Sequence, residues 1–294
     1  MSAWPSAGIY TDVTPEQYFG LTQIDGKRVR SKSMLCEFDK NPRAFNDGYG
    51  KRQTDSMRKG SLFDCLLTSP ETFGRQFVVS PYAEYRTNEA KQWRADQEEL
   101  GLTPIKPSEF SAAQNAVCRV IDDPRWREMT AGAPHFQVAM RADVEGMPFK
   151  GLVDLVPDED ESAFGDALVD VKRCGTMEDV RAICKTAARF GYGQQGGLYR
   201  ALWQLATGKK RPRFILFVVP MDFTDPSAEI CVLDLGRGIL DNGAQQIIRM
   251  NRRLLECEAT GIWPGKFDGI IEVDQSDETW DWQEKLPELE EAAA

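Results

Sequence analysis

Three residues of this chain have types and spacing suited to phosphate chemistry: Asp154, Asp170 and Lys172. Side chains alternate along a strand, so Asp170-Val171-Lys172 sets Asp170 and Lys172 on one face. Asp154 lies sixteen residues upstream, in a segment able to pair beside that strand. The pairing would bring two carboxylates and an ammonium together at one sheet edge. Two acids sharing a site repel each other unless a cation neutralises them. A hard divalent ion with oxygen ligands, Mg²⁺ or Mn²⁺, is the natural occupant. A lysine beside it could orient a water, help deprotonate it, or stabilise developing negative charge. That chemistry suits phosphodiester hydrolysis. The competing reading is plain: a D-x-K triplet arises often by chance on exposed strand faces, and Asp154 could be a salt-bridge partner.

Downstream, Tyr192, Gln195 and Tyr199 are spaced at three and four, so they share one helical face. An amide and two phenols there could contact phosphates and bases, or form a packed aromatic stripe. Gly196 and Gly197 run against helix propensity. They admit close approach of either a DNA backbone or a neighbouring helix.

The elements that must position these groups can be read from period and punctuation. Ser31 or Ser33 caps a helix through Phe38 that Asn41-Pro42 ends. Gly60–Leu67 is a short helix closed by Ser69-Pro70, Tyr85–Gly101 is a polar one broken by Pro104 to Pro107, and Ser108–Asp122 is amphipathic. Phe136–Val144 alternates, Glu145-Gly146 turns, and Pro148–Val156 returns, which is a β-hairpin. After an acidic loop, Ala167–Lys172 is apolar enough to be a central strand. Thr176 with Asp179 resembles a capping box opening a helix to about Phe190. A helix over Gly193–Ala206, strands at Arg213–Val219 and Glu229–Leu235, and a helix over Ile239–Ala259 follow. This order indicates an α/β (α+β) fold, with a central mixed sheet flanked by helices and a helical N-terminal part.

Composition narrows the class. The 294 residues carry a net charge of -10, which taken whole argues against a nucleic-acid binder. Asp268–Ala294 alone holds ten acids and one base. Gly26–Gly60 is net +6 and Lys172–Arg213 net +8, while Gly151–Val171 between them has seven acids and no base. Basic segments flanking an acidic centre suit an anionic substrate at a metal site, although scattered solvated charge would look the same. The longest apolar run, Phe214–Val219, is far too short for a membrane span, and the start lacks signal-peptide features. Seven separated cysteines without a CxxC pair suit a reducing cytoplasm. A single histidine, His135, excludes HExxH zinc sites and disfavours Ser-His or Cys-His catalysis.

The motif order GLVD (Gly151–Asp154), DVK (Asp170–Lys172) and Y-x-x-Q-x-x-x-Y (Tyr192–Tyr199) resembles the PD-(D/E)XK nucleases. More closely, it is similar to their RecE-type branch, the exodeoxyribonuclease VIII family. SKSML…KNPRAF (Ser31–Phe45), KGSLFDCLLTSPETFGRQFVV (Lys59–Val79), FILFVV (Phe214–Val219) and GIWPG…ETWDW (Gly261–Trp282) extend the likeness over almost the whole chain. The resemblance implies one domain over 1–282, helical to about 130 with a catalytic core from about 131, and an acidic, disordered tail at 283–294. It makes Asp154, Asp170 and the Val171 carbonyl metal ligands and Lys172 the catalytic lysine. Gln195 and Tyr199 would place the scissile strand.

Two departures concern the metal: Asp64 stands where the family's first motif carries a histidine, and His135 where it usually carries a glutamate. Both residue types ligate metals, so Asp64 and His135 join the expected ligand set, or else mark a weakened second metal; His135 reads equally well as a plain surface or packing histidine. Leu152 replaces the family's arginine, and Cys231 and Cys257 lack the neighbours of an iron–sulfur staple. The resemblance further implies a Mg²⁺-dependent exonuclease resecting duplex DNA from a 5′ end, a homo-oligomeric ring, and a single-strand annealing partner in a bacterial or phage-infected cytoplasm. Tyr192, Lys27, Arg28, Arg30, Lys32, Arg173 and Arg189 are the expected DNA contacts. Two other readings stand beside it: a recombination scaffold that binds DNA without turnover, and an enzyme acting on another phosphorylated substrate.

Overall fold

The computed structural model describes residues 4, 6–48, 54–175, 177, 179–221, 223 and 228–268. Strand β1 (Gly8–Tyr10), helix α1 (Pro15–Gly20) and a small hairpin, β2 (Gln23–Ile24) with β3 (Lys27–Arg28), come first. The Ser31 hydroxyl then accepts from Met34 N and starts α2 (Lys32–Lys40). Asn41 ends α2 and, through its side chain, caps α3 (Pro42–Asn46). Helix α4 (Asp55–Thr68) begins earlier than its apolar stretch implies, because Thr54 caps it. A short 3-10 turn leads to α5 (Phe73–Gln76) and β4 (Phe77–Val79). Then come α6 (Asn88–Glu99), β5 (Thr103–Ile105), α7 (Pro107–Asp122) and α8 (Pro124–Met129). The expected breaker at Pro104 is in fact β5, paired parallel to β4. Proline is tolerated there because such a two-stranded pair has open edges.

The hairpin is β6 (His135–Val144) and β7 (Met147–Val156), turning on Glu145 and Gly146, both at positive φ. Strand β8 (Ala167–Cys174) leads to α9 (Val180–Arg189), which Asp179 caps through Ala182 N. Thr176 lies outside the described residues. Helix α10 (Tyr192–Thr207), β9 (Arg213–Pro220), β10 (Cys231–Asp234) and α11 (Arg237–Thr260) complete the order. Gly261, at φ 71°, ends α11. The GIWPG segment resembling a closing strand is irregular as far as Asp268, and the ETWDW motif and the 283–294 tail lie outside the described residues.

Among the described residues the principal sheet runs β1-β6-β7-β8-β9-β10, with β8 and β9 parallel and the other neighbours antiparallel. The mixed, helix-flanked sheet is the expected fold. Leu168, Phe214, Leu216 and Val218 pack on α10 and α11 through Leu198, Leu202, Leu240 and Ile247. Val169, Val171, Ile215, Phe217 and Val219 pack on the opposite layer through Phe63, Val117, Val120 and Trp126. Burial on both faces explains why β8 and β9 read as continuous apolar runs. It also corrects one expectation: β7 and β8 are interior strands, so Asp154 and Asp170 meet mid-sheet rather than at an edge. Among the described residues no helix is long and apolar enough to cross a membrane.

The glycines of α10 serve a neighbouring helix. A Cβ on Gly197 would lie 2.3 Å from Leu240 O and 2.5 Å from Ala244 N of α11. Backbone atoms cannot swing away as side chains do, so α10 and α11 can approach this closely only without that carbon. Gly197→Ala should therefore destabilise the protein by about 1–3 kcal/mol, read as a lower thermal midpoint. An unchanged midpoint would mean that the helices are free to separate.

Candidate active site

Strands β7 and β8 share one laddered register pair, Leu155 with Val169, and then part. Where they part, Val171 N–H finds no β7 carbonyl. It donates instead to Asp154 Oδ2 at 2.8 Å. A buried N–H left unpaired would cost about 1–3 kcal/mol, so the fold itself holds the Asp154 carboxylate at β8. On the next residues of β8, Asp170 is 1% exposed, and its Oδ2 pairs with the Lys172 ammonium. Its Oδ1 accepts from Gln195 Nε2 at 2.7 Å. Lys172 Nζ also donates to the Val171 carbonyl at 3.2 Å. The expected pairing of Asp170 with Lys172 on one face, with Gln195 above it, is thus present.

Residues 31–274 match the family described as a PDDEXK-like domain of unknown function (DUF3799). The chain belongs to this PDDEXK-like family. A protein of Eubacterium rectale described as a "putative exonuclease" superimposes with TM-score 0.59 at 16% identity, covering 91% of this chain and 97% of its own. That likeness shows the fold. A phage related exonuclease from Haemophilus somnus 129PT matches at TM-score 0.34 and 12% identity, over 80% of this chain and 97% of its own. No curated protein matches the chain.

Electrostatics bind the PDDEXK-like centre together. Burial and the Asp170 and Asp64 carboxylates push Asp154 well above the usual carboxylate range, against the pull of Lys172 and the Val171 N–H. Burial pushes Asp64 up to about 7; Asp170 adds to this, while Lys172 and Arg173 oppose it. Burial pulls the Lys172 pKa down, but Asp170 and Asp154 outweigh it and hold the ammonium charged. The donors available to a cation are hard oxygens: Asp154, Asp170 and the Val171 carbonyl. Asp64 is near enough to feel Asp170. Even so, among the described residues no three Asp, Glu, His or Cys side chains form a ready-made cage.

A residue that the motifs did not single out completes the centre. Gln137 Nε2 donates to Thr68 Oγ1 at 3.0 Å and reaches Asp154 Oδ1 at 3.4 Å. Thr68 Oγ1 in turn donates to the Asp64 carbonyl at 2.7 Å. Gln137 therefore ties β7 to α4, which carries Asp64. Its φ is 49°, a left-handed conformation that costs a non-glycine residue about 1–3 kcal/mol. Nothing in its type signals this; a glycine or asparagine would have. Thr68, four residues after Asp64 on one helix face, carries the clue that was available.

Several expected site residues lie elsewhere. His135 is exposed and lies near Asp158, and the β6 side chain that reaches Asp154 is Gln137. Tyr199 is buried, and its ring fills the space where a Cβ on Gly151 would sit, 2.8 Å away. Its ring packs under the hairpin, while its phenol meets Gln195 and is close enough to feel Asp170 and Asp154, so it borders the centre. Arg30 is fully buried and bonds Glu258 twice, at 3.0 and 2.5 Å. Breaking such a buried pair costs about 3–5 kcal/mol, so Arg30 staples β7 to α11 and cannot meet a phosphate. Arg28 lies over Phe45 and near Glu258. Lys27 holds the Gly146 carbonyl. Arg173 lies over Phe63 and donates to the Met221 carbonyl. Lys32 and Lys172 do meet over the Tyr192 ring, and Arg189 lies further out, over Phe190. A cleft of about 430 Å³ between α1 and α4 opens onto Asp64, Gln137 and Asp154 from the other side.

A carboxyl raised in the folded state binds its proton more tightly there than in the unfolded chain. Stability conferred by protonated Asp64 is then full below 3.8 and lost as pH rises to about 7. Asp64→Asn should flatten this decline in thermal midpoint between pH 4 and 7. A variant with the full wild-type slope would place the raised carboxyl elsewhere.

Proposed function

We propose that this chain is a metal-dependent nuclease that hydrolyses phosphodiester bonds in DNA. The observation that carries the reading is the arrangement around Val171. The Asp154 carboxylate is drawn onto its N–H, while the Asp170 carboxylate and its own carbonyl meet at the Lys172 ammonium. Burial, together with repulsion from Asp170, raises the proton affinities of Asp154 and Asp64, and that is the condition a divalent cation relieves. Asp154, Asp170 and the Val171 carbonyl would hold a Mg²⁺ or Mn²⁺ ion, with Asp64 as a further oxygen donor. The ion would supply Lewis acidity at the scissile phosphate and acidify a bound water.

The chain's own groups have separate tasks. Lys172, kept charged, stabilises negative charge developing on the phosphate and orients the attacking water. Gln195 fixes the Asp170 carboxylate so that one oxygen faces the centre. Gln137 fixes Asp154 relative to α4. Lys32 and Arg189 neutralise the incoming backbone.

Belonging to the PDDEXK-like family and the fold shared with the E. rectale protein support nuclease chemistry in general. The finer reading is a RecE-type exonuclease that resects duplex ends 5′ to 3′, works as a ring and serves an annealing recombinase. It rests on the order of the sequence motifs.

With Mg²⁺, wild-type protein should degrade linear duplex DNA labelled separately at its 5′ and 3′ ends, losing the 5′ label first. Asp170→Ala should lose at least about 100-fold of this activity, since it removes a ligand and the lysine's partner together. Full activity in Asp170→Ala would sink the nuclease assignment. Loss of the 3′ label first would sink only the RecE-type polarity.

A further inference from the structure

Phe190 has no role in the proposed hydrolysis, yet it stands beside the centre and is 54% exposed. It ends α9, and Gly191, at φ 70°, reverses the chain into α10. The Phe190 ring stacks on Tyr192 with centroids 6.1 Å apart and planes inclined by 24°. Tyr192 in turn has the Lys172 ammonium 5.6 Å from its ring centre and the Lys32 ammonium 5.8 Å away. Arg189 places its guanidinium 5.9 Å from the Phe190 centroid. The two rings therefore form a stack from solvent to the catalytic lysine, with cations along it.

The platform is held in place. Lys32 Nζ, from α2, donates to the Phe190 carbonyl at 2.5 Å. Gly191 sits at φ 70°, a conformation that side-chain-bearing residues rarely adopt, so the turn favours glycine. An exposed aromatic ring on a braced turn, flanked by cations, has the chemistry of single-strand recognition. Bases stack on the ring while lysine and arginine meet the phosphates. A purely apolar partner would have no use for the cations. Bases within a duplex already stack on each other and would not reach the ring.

We propose that Phe190 is a base-stacking platform that takes an unpaired nucleotide of single-stranded DNA next to the Asp170–Lys172 centre. Lys32 and Arg189 hold its phosphates. The inference rests on the nuclease reading for its substrate class, but its test needs no turnover. It makes frayed or single-stranded ends the form in which DNA engages this site.

The test uses the full chain in EDTA and single-stranded oligonucleotides carrying 2-aminopurine at successive positions. Wild-type protein should quench the fluorescence at one position. Phe190→Ala should abolish that quenching and weaken binding by about 5- to 150-fold, the loss of one stacked base. Phe190→Trp should retain both. Phe190→Leu separates stacking from simple apolar contact: it should behave like Phe190→Ala, and retention of wild-type binding by Phe190→Leu would overturn the proposal. So would unchanged affinity and quenching in Phe190→Ala. Matching thermal midpoints establish that the variants fold, as expected for a residue this exposed. Mg²⁺-dependent degradation by wild-type protein is scored separately. Degradation with no effect of Phe190 overturns the platform alone, and stacking without degradation overturns the hydrolysis alone.

Discussion

The parting of β7 and β8 sets up the centre. Paired strands satisfy one another's backbone groups, and beyond Leu155 and Val169 these two no longer do. The Val171 N–H needs an acceptor, and the Asp154 carboxylate supplies it. That exchange makes Asp154 part of the fold as well as part of the chemistry. It also leaves space between two interior strands in which Asp170, Lys172 and the Val171 carbonyl converge.

The surrounding layers exist to keep that space rigid. Helix α10 presses onto the sheet through Leu198 and Leu202 and brings Gln195 to Asp170. It can sit there because Gly197 lets α11 lie directly behind it. On the other side, α4 brings Asp64, and the Gln137–Thr68 link fixes its distance from Asp154. Burial and the neighbouring carboxylates raise the proton affinity of Asp154 and Asp64, and the charged Lys172 only partly offsets it. The Val171 N–H and the Gln137–Thr68 link keep these acids from separating.

Much of this was legible in the residues. Period-two alternation located β6, β7 and β8, and the D-x-K spacing put Asp170 and Lys172 on one face. Helical spacing brought Gln195 to the same place. The spacing offered Tyr199 both as a contact for the substrate strand and as part of a packed stripe; its ring packs against Gly151 in the core while its phenol meets Gln195. His135 drew attention because it stands where the resembled family carries a glutamate, yet the backbone at Gln137 takes a left-handed turn and delivers that side chain to Asp154 instead. Basic residues could be counted in the sequence but not sorted. Arg30 is spent on Glu258, whereas Lys32 reaches Phe190. Long-range partners decide such cases, and neither charge nor spacing encodes them locally.

The central claim is that the gap between β7 and β8 is a cation site. Calorimetric titration of Mn²⁺ into wild-type protein and into Asp154→Asn, both without DNA, tests it most directly. Saturable binding in the wild type, weakened at least about tenfold in Asp154→Asn, is the result this account predicts. Equal binding by the two proteins, or none by the wild type, would contradict it.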